Sequence, residues 1–269
     1  MKKYFYTIAI VIFFLSVIGI YKYVQDKMSA SSIHDNYTKE ENIVTPTTNG
    51  ATPYIDSDKP VINDDSYKVS WIVSRNKQNF HLYSNTSNKL TSSEAIIKNN
   101  CKYLINAGFV DKSYNHIGLF KNHNGIISKY RKNNTFNGFL YVDNNRDTYI
   151  TYNEPTDSLI SLQSGPVLMK NNSPINLNLS RDENARRVIA AVNRNKEAIF
   201  IVFYSKYNPL IGPKLADLPS MLEELEENTS LNITDAINLD GGSHSVFIGD
   251  QINLIEASIV GGYFCIERQ

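Results

Sequence analysis

From Tyr67 to the end, the chain is cut into short runs of β-branched and aromatic residues set between Asn, Gly and Lys turns, and this spacing most constrains its fold. The runs are 67–73, 80–83, 102–105, 138–142, 148–152, 167–169, 188–192, 198–203, 236–239, 245–248 and 263–266. Runs of this length and composition read as strands. Helix signals between them are sparse. Ser93 is placed to cap 94–99, Ser220 with Glu223 forms a capping box ahead of Met221, Leu222 and Leu225, and Pro213 and Pro219 hold any helix in 214–218 to one turn. Regular strand–helix alternation is missing, which excludes a doubly wound nucleotide fold. The expected class is α+β, with mixed or antiparallel β-sheets and two or three flanking helices.

Ahead of that unit the composition changes twice. Residues 4–21 are uncharged and largely apolar, and as a helix they span about 27 Å against a hydrocarbon core of about 30 Å. Lys2 and Lys3 precede the run and Lys22 and Lys27 follow it, and no small-x-small cleavage site or lipobox cysteine comes directly after it. Residues 1–24 are therefore expected to be an uncleaved transmembrane signal anchor, placing the chain in the cell membrane as a single-pass protein with an extracytoplasmic C-terminal domain. Residues 25–66 turn to Ser, Thr, Asn, Asp, Lys and Pro without helical or strand period, and read as a disordered polar tether. The folded unit is then 67–269.

Charge is balanced, with 27 basic and 27 acidic residues, so no basic field argues for a nucleic-acid partner. His34, His81, His116, His123 and His244 have no paired-ligand spacing and the two cysteines are far apart, so neither a metal site nor a cofactor is expected. Cys101 and Cys265 each border an apolar run. Either they bridge, in which case their Cα atoms lie within about 7 Å, or they are buried thiols.

One stretch looks like chemistry: Asn238-Leu239-Asp240-Gly241-Gly242-Ser243-His244-Ser245, a carboxylate on a glycine pair between two apolar runs. Asp-Gly in such a setting is also a strong hairpin signal. Three further blocks precede it in order: Asn106-Ala107-Gly108-Phe109, Gln163-Ser164-Gly165-Pro166 and Ala185-Arg186-Arg187. Ser164 lacks the Gly-x-Ser-x-Gly setting of a hydrolase nucleophile, and its Gly and Pro neighbours argue for a shaped turn.

Taken together, these blocks resemble the phosphodiester glycosidase domain family over residues 67–269. The segment His116-Ile117-Gly118-Leu119-Phe120, the turn Asn124-Gly125 and the strand Val167-Leu168-Met169 after Gln-Ser-Gly-Pro also resemble it. The chain departs from the family pattern at Ala107, Arg187 and Ser243-His244-Ser245. The resemblance implies cleavage of a sugar from a glycosyl-phosphodiester or related envelope glycan. Such a reaction breaks the anomeric C–O bond through an oxocarbenium-like state and expels a phosphate monoester, so it needs a cation and N–H groups for the phosphate and a carboxylate on the sugar side. Asp240 is the expected nucleophile, base or oxocarbenium stabiliser and Arg186 the phosphate fork, while Asn106, Gly108, Gln163, Gly165, Asn238, Gly241, Gly242 and His244 are expected to bind substrate. A second carboxylate is open among Asp111, Glu183 and Asp235. The alternative is a non-catalytic glycan-binding or envelope-scaffold protein with the same fold. An open cleft around Asp240, Arg186 and Asn106 favours the enzyme, and Asp240 sealed in a hairpin favours the scaffold.

Overall fold

The computed structural model describes residues 53–54, 64, 66–75 and 80–268. The expected membrane anchor and nearly all of the expected tether lie outside these residues, and among the described residues no helix is long and apolar enough to cross a membrane. The fold is α+β, and every strand pairing among the described residues is antiparallel.

A seven-stranded sheet runs in the order Pro53–Tyr54, Tyr67–Ser74, Ala198–Ser205, Arg187–Asn193, Ile233–Asn238, Val167–Lys170 and Ser173–Pro174. Pro53–Tyr54 belongs to the stretch read as tether. It sits at the sheet edge, where a proline's missing N–H costs no ladder bond. A five-stranded sheet follows the order Asn253–Leu254, Phe247–Ile248, Cys101–Asn106, Gly262–Glu267 and Phe80–Ser84. Another five-stranded sheet is ordered Gly125–Ser128, Phe120–Asn122, Ile160–Ser164, Gly138–Val142 and Thr148–Thr151.

All three sheets turn one face to a shared core, where Ile105, Phe120, Leu140, Leu162, Val188, Phe200, Ile237 and Phe264 are buried together. The central strands of the large sheet are covered on both faces. Val188, Ala190, Phe200 and Val202 enter the shared core, while Ile189, Ala191, Ile199 and Phe203 enter a second one. Alternate side chains point to opposite faces, so a strand covered on both sides reads as an unbroken apolar run, as Ala198–Phe203 does. Helix Leu218–Glu227 roofs the second core with Leu218, Met221, Leu222 and Leu225, each full burial contributing about 2 kcal/mol.

Both expected helices form, with different caps. The first spans Ser92–Lys98 and is capped by Thr91, whose hydroxyl accepts from the Glu94 N–H while the Glu94 carboxylate accepts from the Thr91 N–H at 2.8 Å. Thr91 precedes Ser93 and has the extended backbone a cap requires, so it takes the role assigned to Ser93. The second helix begins at Leu218 with Pro219 in its first turn, and the Ser220 hydroxyl donates back to the Asp217 carbonyl at 2.9 Å instead of forming a box with Glu223. A single 3-10 turn, Leu215–Asp217, fills the space between the prolines.

Cys101 and Cys265, 164 positions apart in sequence, are joined by a disulfide with Cα atoms 5.4 Å apart. A closed loop of that length stabilises by about 5 kcal/mol in the chain-entropy picture. The bridge packs with Ala95, Leu104, Val246 and Tyr263 beneath helix Ser92–Lys98.

Candidate active site

Asp240 does not sit in a hairpin. Strand Ile233–Asn238 belongs to the large sheet, whereas Phe247–Ile248, the next strand along the chain, pairs with Cys101–Asn106 in another. Residues 239–246 are thus a crossover between sheets. Leu239 anchors its start, fully buried and donating its N–H to the Val188 carbonyl at 2.9 Å.

Three buried polar side chains hold the crossover in shape. Asn106 donates to the Asp240 carbonyl at 2.8 Å and accepts from the Val246 N–H at 3.0 Å, tying both ends to one strand. Arg186 is about 1 % exposed; its Nε donates to the Ser245 hydroxyl at 2.6 Å and its Nη2 to the carbonyls of Ile255, at 2.7 Å, and of Ser245. The Ser245 hydroxyl in turn donates a hydrogen bond to the Gly242 carbonyl at 2.6 Å. Burial lowers the Arg186 guanidinium to about 10, a shift that Glu256 opposes, so at neutral pH it keeps its charge. The glycine pair fits closely against this frame: Gly242 has φ +60°, and a Cβ on Gly241 would stand 2.8 Å from the Arg186 carbonyl.

The side of the crossover away from Arg186 opens into a cleft of about 460 Å³. Asp240, Gly241, Gly242 and Asn238 line it, joined by Gly165, Pro166, Phe109, Phe136, Glu183 and Arg187. Asp240 is half-buried, its Oδ1 accepting from the Gly241 N–H at 2.9 Å. Loss of solvent pushes its carboxyl up from 3.8 to about 7, against the pull of that N–H. Asn238 is buried, with its Nδ2 donating to the Gly165 carbonyl at 3.0 Å, while its Oδ1 has no hydrogen-bond partner among the described residues. A buried amide oxygen without a donor is costly, and this one is closed off from solvent behind the cleft wall.

Arg187 forms part of the cleft wall. Its Nε donates to the Pro213 carbonyl at 3.1 Å, and its Nη2 pairs with Asp182 at 3.1 Å and also reaches the Glu183 carbonyl. Its Nη1 makes no hydrogen bond among the described residues and lies 3.8 Å from where a Gly241 Cβ would be. Asp182 also accepts from the N–H groups of Leu215 and Ala216, both at 2.8 Å, so this carboxylate is committed to tying its loop to the Leu215–Asp217 turn.

Of the residues expected at the site, Asp240, Asn238, Gly165, Gly241 and Gly242 meet in the cleft. Arg186, Asn106, Gln163, Gly108 and His244 do not line it. Arg186 and Arg187 are consecutive where a strand begins, so they point to opposite sides: the fork expected at Arg186 is spent inside the frame, and Arg187 faces the cleft. Asn106 is spent on backbone groups, as described. Gln163 is 1 % exposed and lashes the 131–136 loop: its Oε1 accepts from the N–H groups of Leu119 and Arg131, at 3.0 and 3.2 Å, and its Nε2 donates to the carbonyls of Arg131 and Phe136, at 2.7 and 2.9 Å. Gly108 is buried against Leu162 and Phe120, and His244 lies beside Ser243, its Nδ1 3.2 Å from that hydroxyl. Ser164 donates to the Asn238 carbonyl at 2.6 Å from a fully buried position, as a shaped turn requires. Among the three open carboxylates only Glu183 lines the cleft; Asp235 pairs with Lys170 at 2.6 Å, and Asp111 closes its own loop by accepting from Ser113 and Asn115. The aromatic walls Phe109 and Phe136 stack at 4.2 Å; Phe109 closes the Asn106–Phe109 block, whereas Phe136 lies in no expected motif.

A three-sheet α+β domain with a carboxylate on a glycine pair at a sheet crossover defines a class, and the family comparison agrees with it. The model of the phosphodiester glycosidase family matches residues 99–259, and the chain belongs to that family. Among solved structures it is similar to the catalytic domain of zebrafish N-acetylglucosamine-1-phosphodiester alpha-N-acetylglucosaminidase, auto-inhibited by its pro-peptide. The TM-score is 0.56 at 10% identity, covering 82% of this chain and 89% of that one. A hypothetical protein from Synechocystis matches with TM-score 0.48 and 14% identity over 76% of this chain and 60% of that one. A putative exported protein from Burkholderia pseudomallei matches with TM-score 0.45 and 10% identity over 75% of this chain and 74% of that one. No curated protein sequence matches the chain.

Proposed function

We propose that this chain is a membrane-anchored extracytoplasmic hydrolase that cleaves a sugar from a glycosyl-phosphodiester or related envelope glycan. Asp240 carries the proposal: a carboxyl poised at about 7 on the wall of an open cleft, beside the unpartnered Oδ1 of Asn238. A phosphate monoester leaves readily, so the step in need of help is activation of water. In this reading ionised Asp240 takes a proton from water as its oxygen bonds to the anomeric carbon. The bond from that carbon to the phosphate oxygen breaks, and its electron pair leaves with the phosphate. Arg187 takes the phosphate role expected of Arg186, and Asn238 holds the cleft wall in place through Gly165. Location outside the cytoplasm rests on the apolar run 4–21, supported by the Cys101–Cys265 bridge, since such bonds persist in oxidising compartments.

The test is release of reducing sugar from a panel of sugar-1-phosphodiesters by the full chain and by Asp240→Asn, which is close to isosteric. Activity is expected to rise as pH passes about 7, where Asp240 ionises, and the substitution to lower kcat/KM about a hundredfold or more. Equal nonzero rates in two folded proteins remove Asp240 from the mechanism. No turnover in either protein leaves the glycan-binding scaffold as the reading.

A further inference from the structure

Beyond Phe136 the molecule has a second groove, of about 420 Å³, and Phe136 lines both it and the cleft. Its other walls include Tyr130, Lys132, Asn134, Phe139 and Tyr152. Tyr130 and Tyr152 are 42% and 46% exposed, and the Tyr130 ring leans on Phe139 with centroids 5.7 Å apart. The hydroxyls of both tyrosines, the Lys132 ammonium and the Asn134 amide make no hydrogen bond among the described residues. The groove is nonetheless firmly built. Gln163 fixes its floor to Arg131 and Phe136, Asn133 Oδ1 accepts from the N–H groups of Thr135 and Phe136 at 2.8 and 3.0 Å, and Asn137 Oδ1 accepts from the Val167 N–H at 2.9 Å.

Aromatic faces left in water beside donors and acceptors that nothing satisfies suit a ligand that is apolar on its ring face and polar at its edges. A pyranose meets that description: its C–H face stacks on tyrosine, and its hydroxyls reach amide, ammonium and phenol. We infer that this groove is a second saccharide subsite, so that the ligand is a chain of sugars laid from the Asp240 cleft across Phe136 onto Tyr130 and Tyr152. The inference deepens the proposed function by naming an oligosaccharide, rather than a lone glycosyl phosphate, as the ligand class.

The experiment is titration of the full chain with soluble mono- to hexasaccharides, neutral, N-acetylated and anionic, followed by calorimetry. Wild type is expected to bind more tightly as the saccharide lengthens. Tyr130→Ala and Tyr152→Ala are each expected to weaken hexasaccharide binding about tenfold, the scale of one lost aromatic contact, while monosaccharide binding changes by less than about twofold. Tyr130→Phe, which keeps the ring, restores most of the loss. Affinity independent of saccharide length, no binding to any member, or alanine variants of native circular dichroism that bind the hexasaccharide like wild type would each overturn the inference. Because the readout is binding, its failure is separable from that of the enzyme reading: length-dependent binding lost in the tyrosine variants supports the groove even if no phosphodiester is turned over.

Discussion

Arg186 and Arg187 are neighbours of one chemical type with opposite employment. Arg186 belongs to a frame, with Asn106 and Gln163, of buried polar side chains bonded to backbone on both sides of a chain crossing. Arg187 belongs to the cleft, with Asn238 and Asp240, where polar atoms are held in place by some bonds and left with others unmade. Burial of a polar residue thus does not identify a site. Groups that line an open cleft with bonding capacity to spare do.

Arg186→Ala is the most disruptive change. It orphans the Ser245 and Ile255 carbonyls and removes the tie between the crossover and the 255 loop, so a loss of about 4 kcal/mol is expected in denaturant unfolding. Stability near that of wild type would move Arg186 out of the frame. Gln163→Ala comes next, at about 3 kcal/mol, since it leaves backbone groups of Leu119, Arg131 and Phe136 without partners; urea midpoints measure it. Arg187→Lys belongs to the cleft half and should act mainly on substrate. KM for a glycosyl-phosphodiester rises about tenfold, because a point charge cannot keep the bonds to Asp182 and Pro213 and still present a nitrogen to phosphate. A stability loss with unchanged KM would transfer Arg187 to the frame.

A change at Asp240 has the opposite sign. The folded-state carboxyl of Asp240 is raised from 3.8 to about 7, so the native chain holds a proton there that the unfolded chain has lost, and stability falls as pH rises between about 4 and 7. Asp240→Asn removes that fall. Above pH 7 the variant should therefore melt higher than wild type, with no advantage at pH 4, by calorimetry at both values. A lower melting temperature above pH 7 would mean that the carboxylate is part of the frame.

Much of the fold was legible in the residues. The β-rich pattern, the single turn between Pro213 and Pro219, both helices and the Asp240-Gly241-Gly242 block were readable, because period, turn chemistry and glycine are local signals. Bridge or buried thiols stayed open for Cys101 and Cys265, and only the fold joins them. Strand Ile160–Ser164 was not read. Every residue in it is buried, Ser161, Gln163 and Ser164 included, and a polar residue satisfied by distant backbone looks in sequence like one bound for solvent or substrate. The helix caps were misplaced by a few residues because several Ser, Thr and Asp lie near each start and only backbone geometry picks among them.

Which of two adjacent arginines meets substrate is decided where strand Arg187–Asn193 takes its register between Ala198–Ser205 and Ile233–Asn238. A shift of one residue exchanges the two sides, and no local preference in Ala185-Arg186-Arg187 encodes it. The residues themselves dictate the kinds of groups available and supply the glycines that let a backbone bend around them. Tertiary structure decided which of those groups would be spent on each other: hydrogen bonds across the crossover from 239 to 246 join residues more than a hundred positions apart, and only packing brings such partners together.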